Sequence, residues 1–365
     1  MKVIYTKGHI NSIQPYYVML NGQRYNAAHF NGRIVFGKFD EVEPTVPPTE
    51  PPTEPPTIPP TPTPEPPTTT PFFVENITNS TETLTISRRN SDYEGTSATS
   101  LTIECSSNAN NWTTLGTTSD TAITRTLAPG ERLYLRCQTD SWITNYKSNR
   151  IRGVSKVGGN AMSLLYGANF TGEETVFPND VGDWLAPLCD IFYNNTNLKN
   201  ADELFLPATT LIYLCYCGMF AYCTNLESAQ IELPALRAKQ NCYNYMFAHC
   251  NSLVTGPSEL PATMVEFNCY TQMFYDCTSL VTAPEMPYAQ RLTSTDFNYA
   301  NMFNGCSSIN YIKALFNPGT TTGSSAPTTG WLNGVSSTGT FYKAAGTTWP
   351  TGTSGIPTGW TVVEV

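Results

Sequence analysis

The chain has 365 residues, 40% of them hydrophobic and 13% charged, with 20 Tyr, 17 Phe and 6 Trp. That leaves room for two or three domains with apolar mass for packed cores, which excludes wholesale disorder, and no apolar run reaches the roughly 18 residues of a membrane-spanning helix. The net charge of −9 is split: residues 1–39 carry Lys2, Lys7, Arg24, Arg33 and Lys38 and no acid, whereas residues 158–365 carry 15 acids against 6 bases.

The opening residues, MKVIYTKGHINSIQPYY, hold no uninterrupted apolar core and no small-residue cleavage pattern, so no export signal is expected. The eleven cysteines are accordingly expected as reduced thiols. Residues 1–43 read as a small β module. Tyr16–Leu20 and Arg33–Phe36 are strand-like, and Asn21-Gly22 and Asn31-Gly32 are hairpin-turn dipeptides. A module this short, without cysteine and with only His9 and His29, needs copies of itself or a larger surface to fold against. Its candidate docking residues are Tyr16, Tyr17, Arg24, Tyr25, Phe30 and Arg33, although an ordinary mini-core explains the aromatics equally well. Its few scattered charges do not favour nucleic acid over a protein surface.

Residues 44–71 contain 14 Pro and 9 Thr in 28 positions. Proline fixes φ and removes backbone donors, so this segment reads as a polyproline II spacer on the order of 87 Å long. Residues 72–157 alternate as half-buried strands do, at Leu84–Ile86, Leu101–Ile103, Ala122–Leu127 and Leu133–Cys137, with turn signals at Asp92–Gly95, Ser106–Asn111 and Ala128–Gly130. Short strands at this spacing predict an antiparallel, Ig-like β-sandwich, acting as a spacer or as a carbohydrate binder.

A repeat follows over residues 158–316. Phe192, Phe220, Phe247, Phe274 and Phe303 recur at spacings of 28, 27, 27 and 29. Three residues after each comes Asn195, Cys223, Cys250, Cys277 or Cys306, and three further on Leu198, Leu226, Leu253, Leu280 or Ile309. A second series runs Cys215, Cys242, Cys269 and Asn298, and prolines separate the units at Pro207, Pro234, Pro261 and Pro287. A period of this length predicts a leucine-rich-repeat-like solenoid of five units, in which identical positions stack into ladders. The whole chain is thus expected to be mainly β, with a carboxyl-terminal cap at 317–365.

The unit Leu-Pro-Ala-Thr-x-Leu-x-x-x-Cys-Tyr-x-x-Met-Phe-x-x-Cys-x-x-Leu resembles the BspA-like leucine-rich repeats of gut Bacteroidales and their phages. Ala161–Gly167 is similar to the lead-in of such arrays, and Gly339–Val362 to their usual ending. The likeness covers residues 158–365 and does not reach 1–71. A basic foot, a proline rod, a sandwich and a distal repeat array resemble in plan the head or tail fibres of crAss-like phages. That plan implies a non-enzymatic virion component, head fibre before tail fibre. Its foot would dock on capsid or another virion protein, and its repeats would meet glycans or mucin on the host surface. A homotrimer is implied, exposed on the virion and made in the bacterial cytoplasm. A bacterial surface adhesin is the alternative, and a capsule-degrading enzyme the third.

Chemistry is sparse. Cys215, Cys217 and Cys223 could belong to a zinc site, but two of the three recur as ladder positions, so core packing is expected and no metal or cofactor. No nucleophile elbow, phosphate loop or His-Glu-x-x-His is present, and Glu173-Glu174 and Asp202-Glu203 read as solvated pairs. No catalytic residue is assigned. Tyr216, Tyr243 and Tyr270 form either a core column or an outward stripe suited to sugars, with core favoured.

Overall fold

The computed structural model describes the backbone of residues 15–20, 23–30 and 33–36, and residues 69–87, 100–118, 121–138, 149–178, 186–286, 297–318 and 327–365. The chain divides into two units, Met1–Thr61 and Pro62–Val365. In the first, β1 (Pro15–Leu20), β2 (Gln23–Phe30) and β3 (Arg33–Phe36) form an antiparallel sheet in chain order. The pairs Leu20↔Gln23 and Phe30↔Arg33 leave two residues between paired strand ends, the spacing that Asn-Gly dipeptides favour. The proline-rich residues 44–68 lie outside the described residues.

The second unit begins with β4 (Phe73–Glu75), β5 (Glu82–Ser87), β6 (Thr102–Ser106), β7 (Thr113–Thr117), β8 (Ile123–Leu127), β9 (Arg132–Cys137), β10 (Arg150–Arg152) and β11 (Lys156–Asn160). A four-residue helix α1 (Ser163–Tyr166), a 3-10 turn (Gly167–Asn169) and β12 (Asn200–Phe205) follow. Strands β10, β5 and β8 make one antiparallel sheet; β12, β11, β4, β9, β6 and β7 make a second. Both feed one core. Leu84, Ile86, Leu127 and Ile151 come from the first sheet, and Val74, Ile103, Leu133, Leu135 and Val157 from the second. Burial alternates along β5 and β9, as the sequence alternation implies, and the pair of sheets is consistent with a sandwich. The second sheet is mixed rather than purely antiparallel. Strand β11 straddles position 157 and pairs in parallel with β12, so the sheet runs on into the repeats without a break.

Between Leu214 and Cys223 the backbone amides alternate in their use. Those of Leu214, Tyr216, Gly218, Phe220 and Tyr222 donate to carbonyls of Gln240, Cys242, Asn244, Met246 and Ala248 in the next unit, at 2.8–3.2 Å. The amides between them, Cys215 to Cys223, each donate three residues back within their own unit. The chain is therefore a string of turns with every second N–H shared between units, which satisfies a buried backbone without long strands. Such a string needs a left-handed residue every fourth position, and it has them: Leu214, Gly218 and Tyr222, then Asn241, Tyr245 and His249, then Asn268, Gln272 and Asp276. Among the described residues, strand pairing between units takes the form of short parallel strands, β13 (Arg237–Ala238) with β14 (Met264–Val265) and β15 (Tyr311–Ala314) with β16 (Thr340–Lys343) and β17 (Thr361–Glu364), together with single parallel bridges such as Ser228↔Thr255.

The side-chain columns follow from this register. Phe192, Phe220, Phe247, Phe274 and Phe303 are fully buried and stack at ring separations of 5.2–5.5 Å, with Phe72 of the sandwich 5.9 Å from Phe192. Cys223, Cys250, Cys277 and Cys306 each donate an S–H to the carbonyl of the phenylalanine one unit earlier, at 2.9–3.1 Å. Register continues one unit past the expected boundary at 316. Phe303 N–H bonds Trp331 O, and Gly305 N–H bonds Asn333 O, as in the units before. Asn333-Gly334-Val335-Ser336-Ser337 matches Asn304-Gly305-Cys306-Ser307-Ser308 at every position but the cysteine. Trp331, Trp349 and Phe341 then close the end of the stack.

Candidate functional site

Two aromatic columns outside the phenylalanine ladder run along the repeats, and they differ in access. Tyr216, Tyr243 and Tyr270 are each 1% exposed and stack at 5.9 and 5.4 Å, and Tyr299 extends the column. Burial pushes all four phenols above their ordinary range, with neighbouring buried thiols adding to it. This column is core and offers nothing to a partner.

The second column reaches the surface, with Tyr222 exposed and Tyr193, His249 and Tyr275 half-buried. Tyr193, Tyr222, His249 and Tyr275 come from four successive units, and their centroids are separated by 5.3, 4.4 and 5.3 Å. Tyr222 is 40% exposed, and Tyr245 beside the column 38%. Each ring sits one or two residues after a ladder phenylalanine, so a buried Phe and the turn behind it fix its position. Left-handed backbone at Tyr222 and His249, with φ of 63° and 62°, turns those side chains out of the core path. His249 Nδ1 lies 3.4 Å from an Asp276 carboxylate oxygen. At the first unit Arg150 lies over the Tyr193 ring, 4.3 Å from its centroid, and pairs with Asp190 at 3.4 Å. Within the row the rings touch one another, so the surface receives ring edges, hydroxyls and an imidazole held on a rigid backbone. Tyrosine supplies apolar area and a polar tip at little entropic cost, a composition common at recognition surfaces.

The remaining sequence candidates are absorbed by structure. Cys215 and Cys223 are buried in separate columns and Cys217 is half-buried; all eleven cysteines are free, and among the described residues no three metal-ligating side chains converge. Burial pushes the Cys223 thiol up to about 12. Asp202 accepts from Ser228 Oγ at 2.7 Å and from Gln230 N–H at 2.8 Å, and Glu203 pairs with Lys156 and Arg132. At Glu174 burial works against the charge, but hydrogen bonds from Thr171 and Gly172 outweigh it and hold the carboxyl below its usual range. Asn76, which opens an Asn-Ile-Thr sequence, is fully buried and donates to the Ser80 and Leu127 carbonyls. The foot residues Tyr16, Tyr17, Arg24, Tyr25, Phe30 and Arg33 lie on β1–β3, and their side chains fall outside the described residues.

The outer row escapes a reading of the sequence because its register slips. Tyr193 and Tyr275 follow their phenylalanines by one residue, Tyr222 and His249 by two. A search for constant intervals finds the inner tyrosines instead. Among the described residues no helix is long and apolar enough to cross a membrane. No protein family, curated protein or solved structure matches the chain.

Proposed function

We propose that this chain is a non-enzymatic virion fibre of a phage. Residues 1–43 attach it to capsid or another virion protein, residues 44–71 hold it off the surface, and a sandwich joined to a BspA-like solenoid adheres to host-surface or mucin glycans. Attachment to the head is favoured over the tail, and the fibre is a homotrimer. The observation that carries the adhesive part is the outer row Tyr193, Tyr222, His249 and Tyr275, held in place by the buried ladder behind it. One such row offers modest affinity, and display of many copies on one particle multiplies it. The likeness of the repeat unit to BspA-like proteins, and of the overall plan to crAss-like phage fibres, supports the virion part.

The deciding experiment is immunogold labelling with antibody to residues 158–365, on purified phage particles and on uninfected cells. Gold on particles is the expected result, and its position separates head from tail. Gold on uninfected cells alone would replace the fibre with a bacterial adhesin.

A further inference from the structure

A cleft of about 350 Å³ opens at the sandwich end of the aromatic row, lined by Thr85, Ser87, Arg152, Asn194, Thr196 and Asn197. Its floor is built from both modules. Arg152 pairs with Thr85 across β10 and β5, and Gly153 N–H bonds the Asn195 side chain of the first repeat at 3.0 Å. Asn194 directly follows Tyr193, so the cleft begins where the row ends. Every other lining side chain named is a hydroxyl or an amide. Arg152 is the exception, and no carboxylate of the described residues pairs with it, whereas Arg125, Arg132, Arg136 and Arg150 each have one within 3.4 Å. Burial works against the Arg152 charge, and neighbouring Arg150 adds to it. A guanidinium that no described carboxylate matches, set among neutral hydroxyls and amides, is a site for an anion, since carboxylate and sulfate oxygens accept its paired N–H groups in plane.

We propose that the cleft around Arg152 binds the anionic group, carboxylate or sulfate, of an acidic glycan whose neighbouring residues lie along Tyr193 and Tyr222. The proposal rests on the glycan-binding reading above and specifies its ligand class. Residues 158–365 carry a net charge of −9, so long-range attraction does not recruit such a ligand. Selection is local, by one arginine and its hydroxyl and amide neighbours.

The test uses the full chain and three immobilised polymers: dextran sulfate, polygalacturonate and neutral dextran. Retention on one or both anionic polymers above dextran is expected, and which of them identifies sulfate or carboxylate as the recognised group. R152Q should weaken retention on the anionic polymer about tenfold or more, as loss of a charged hydrogen-bond donor does, with R152K keeping part of it. The thermal midpoint of R152Q should match the parent, because no carboxylate of the described residues loses its partner. Retention of R152Q equal to the parent overturns the anion site and leaves the glycan reading to stand on Y222A, which should lose retention on every polymer. A parent chain that binds none of the three overturns both.

Discussion

Gly305 occupies the position two after its ladder phenylalanine, with φ of +84°, and its N–H donates to Asn333 O at 2.8 Å. A Cβ there would collide with the Asp276 carboxylate of the preceding unit; Gly218 stands in the same relation to Asp190. At these points one unit leaves out a side chain so that its neighbour can hold one. Gly305→Ala should therefore destabilise the unit by about 2 kcal/mol, from the left-handed backbone penalty plus displacement of Asp276. Chemical denaturation would read this as a lower midpoint with an unchanged slope. A midpoint equal to the parent would mean that the columns tolerate shifts the packing argument forbids. Tyr222 and His249 bear the same left-handed backbone without glycine's freedom.

Among elements, the first repeat departs from the later ones at the position that meets the sandwich. Asn195 stands where later units have cysteine; its Oδ1 accepts from Gly153 N–H at 3.0 Å and its Nδ2 donates to Val154 O at 3.1 Å. Later cysteines bond the carbonyl of the preceding phenylalanine, but the first unit has no preceding repeat and meets the β10–β11 connection instead. Asn195→Cys, the substitution that repeat consensus recommends, should cost on the order of 2 kcal/mol by stranding two backbone groups. A neutral or stabilising result in thermal denaturation would remove Asn195 as the joint. The same contrast explains what was legible. Strands β5, β6, β8 and β9 announce themselves through alternation, whereas β7 (Thr-Thr-Leu-Gly-Thr) and β11 (Lys-Val-Gly-Gly-Asn) lack it, because their place is set by neighbouring strands. The ladders were readable because each position repeats. The Trp331-Leu332 unit was not, since it replaces both Met-Phe and cysteine. The Arg152 cleft draws on three separated segments, a juxtaposition no local pattern encodes.

For Pro62–Val365 as a whole, the ladders join sandwich and repeats through one continuous stack, from Phe72 through Phe192 to Phe303. Stacked units of this kind share their stability through interfaces, so sandwich and repeats should unfold together. Alkali supplies the test. Burial raises the buried thiols of Cys137, Cys223, Cys242, Cys250, Cys269 and Cys277 and the phenols of Tyr216, Tyr243, Tyr270 and Tyr299 above their ordinary values of 9.0 and 10.0. The folded chain then keeps protons that the unfolded chain releases. Its stability is undiminished by these groups below about pH 9 and falls as pH rises past that point, each group adding up to about 1.4 kcal/mol per pH unit. Tyrosinate absorbance from the buried column should thus appear in one step, at the same pH as the loss of far-ultraviolet circular dichroism. Smooth ionisation of those tyrosines near pH 10 with the dichroism intact would show that water reaches the column, and the rigid support behind the outer aromatic row would go with it.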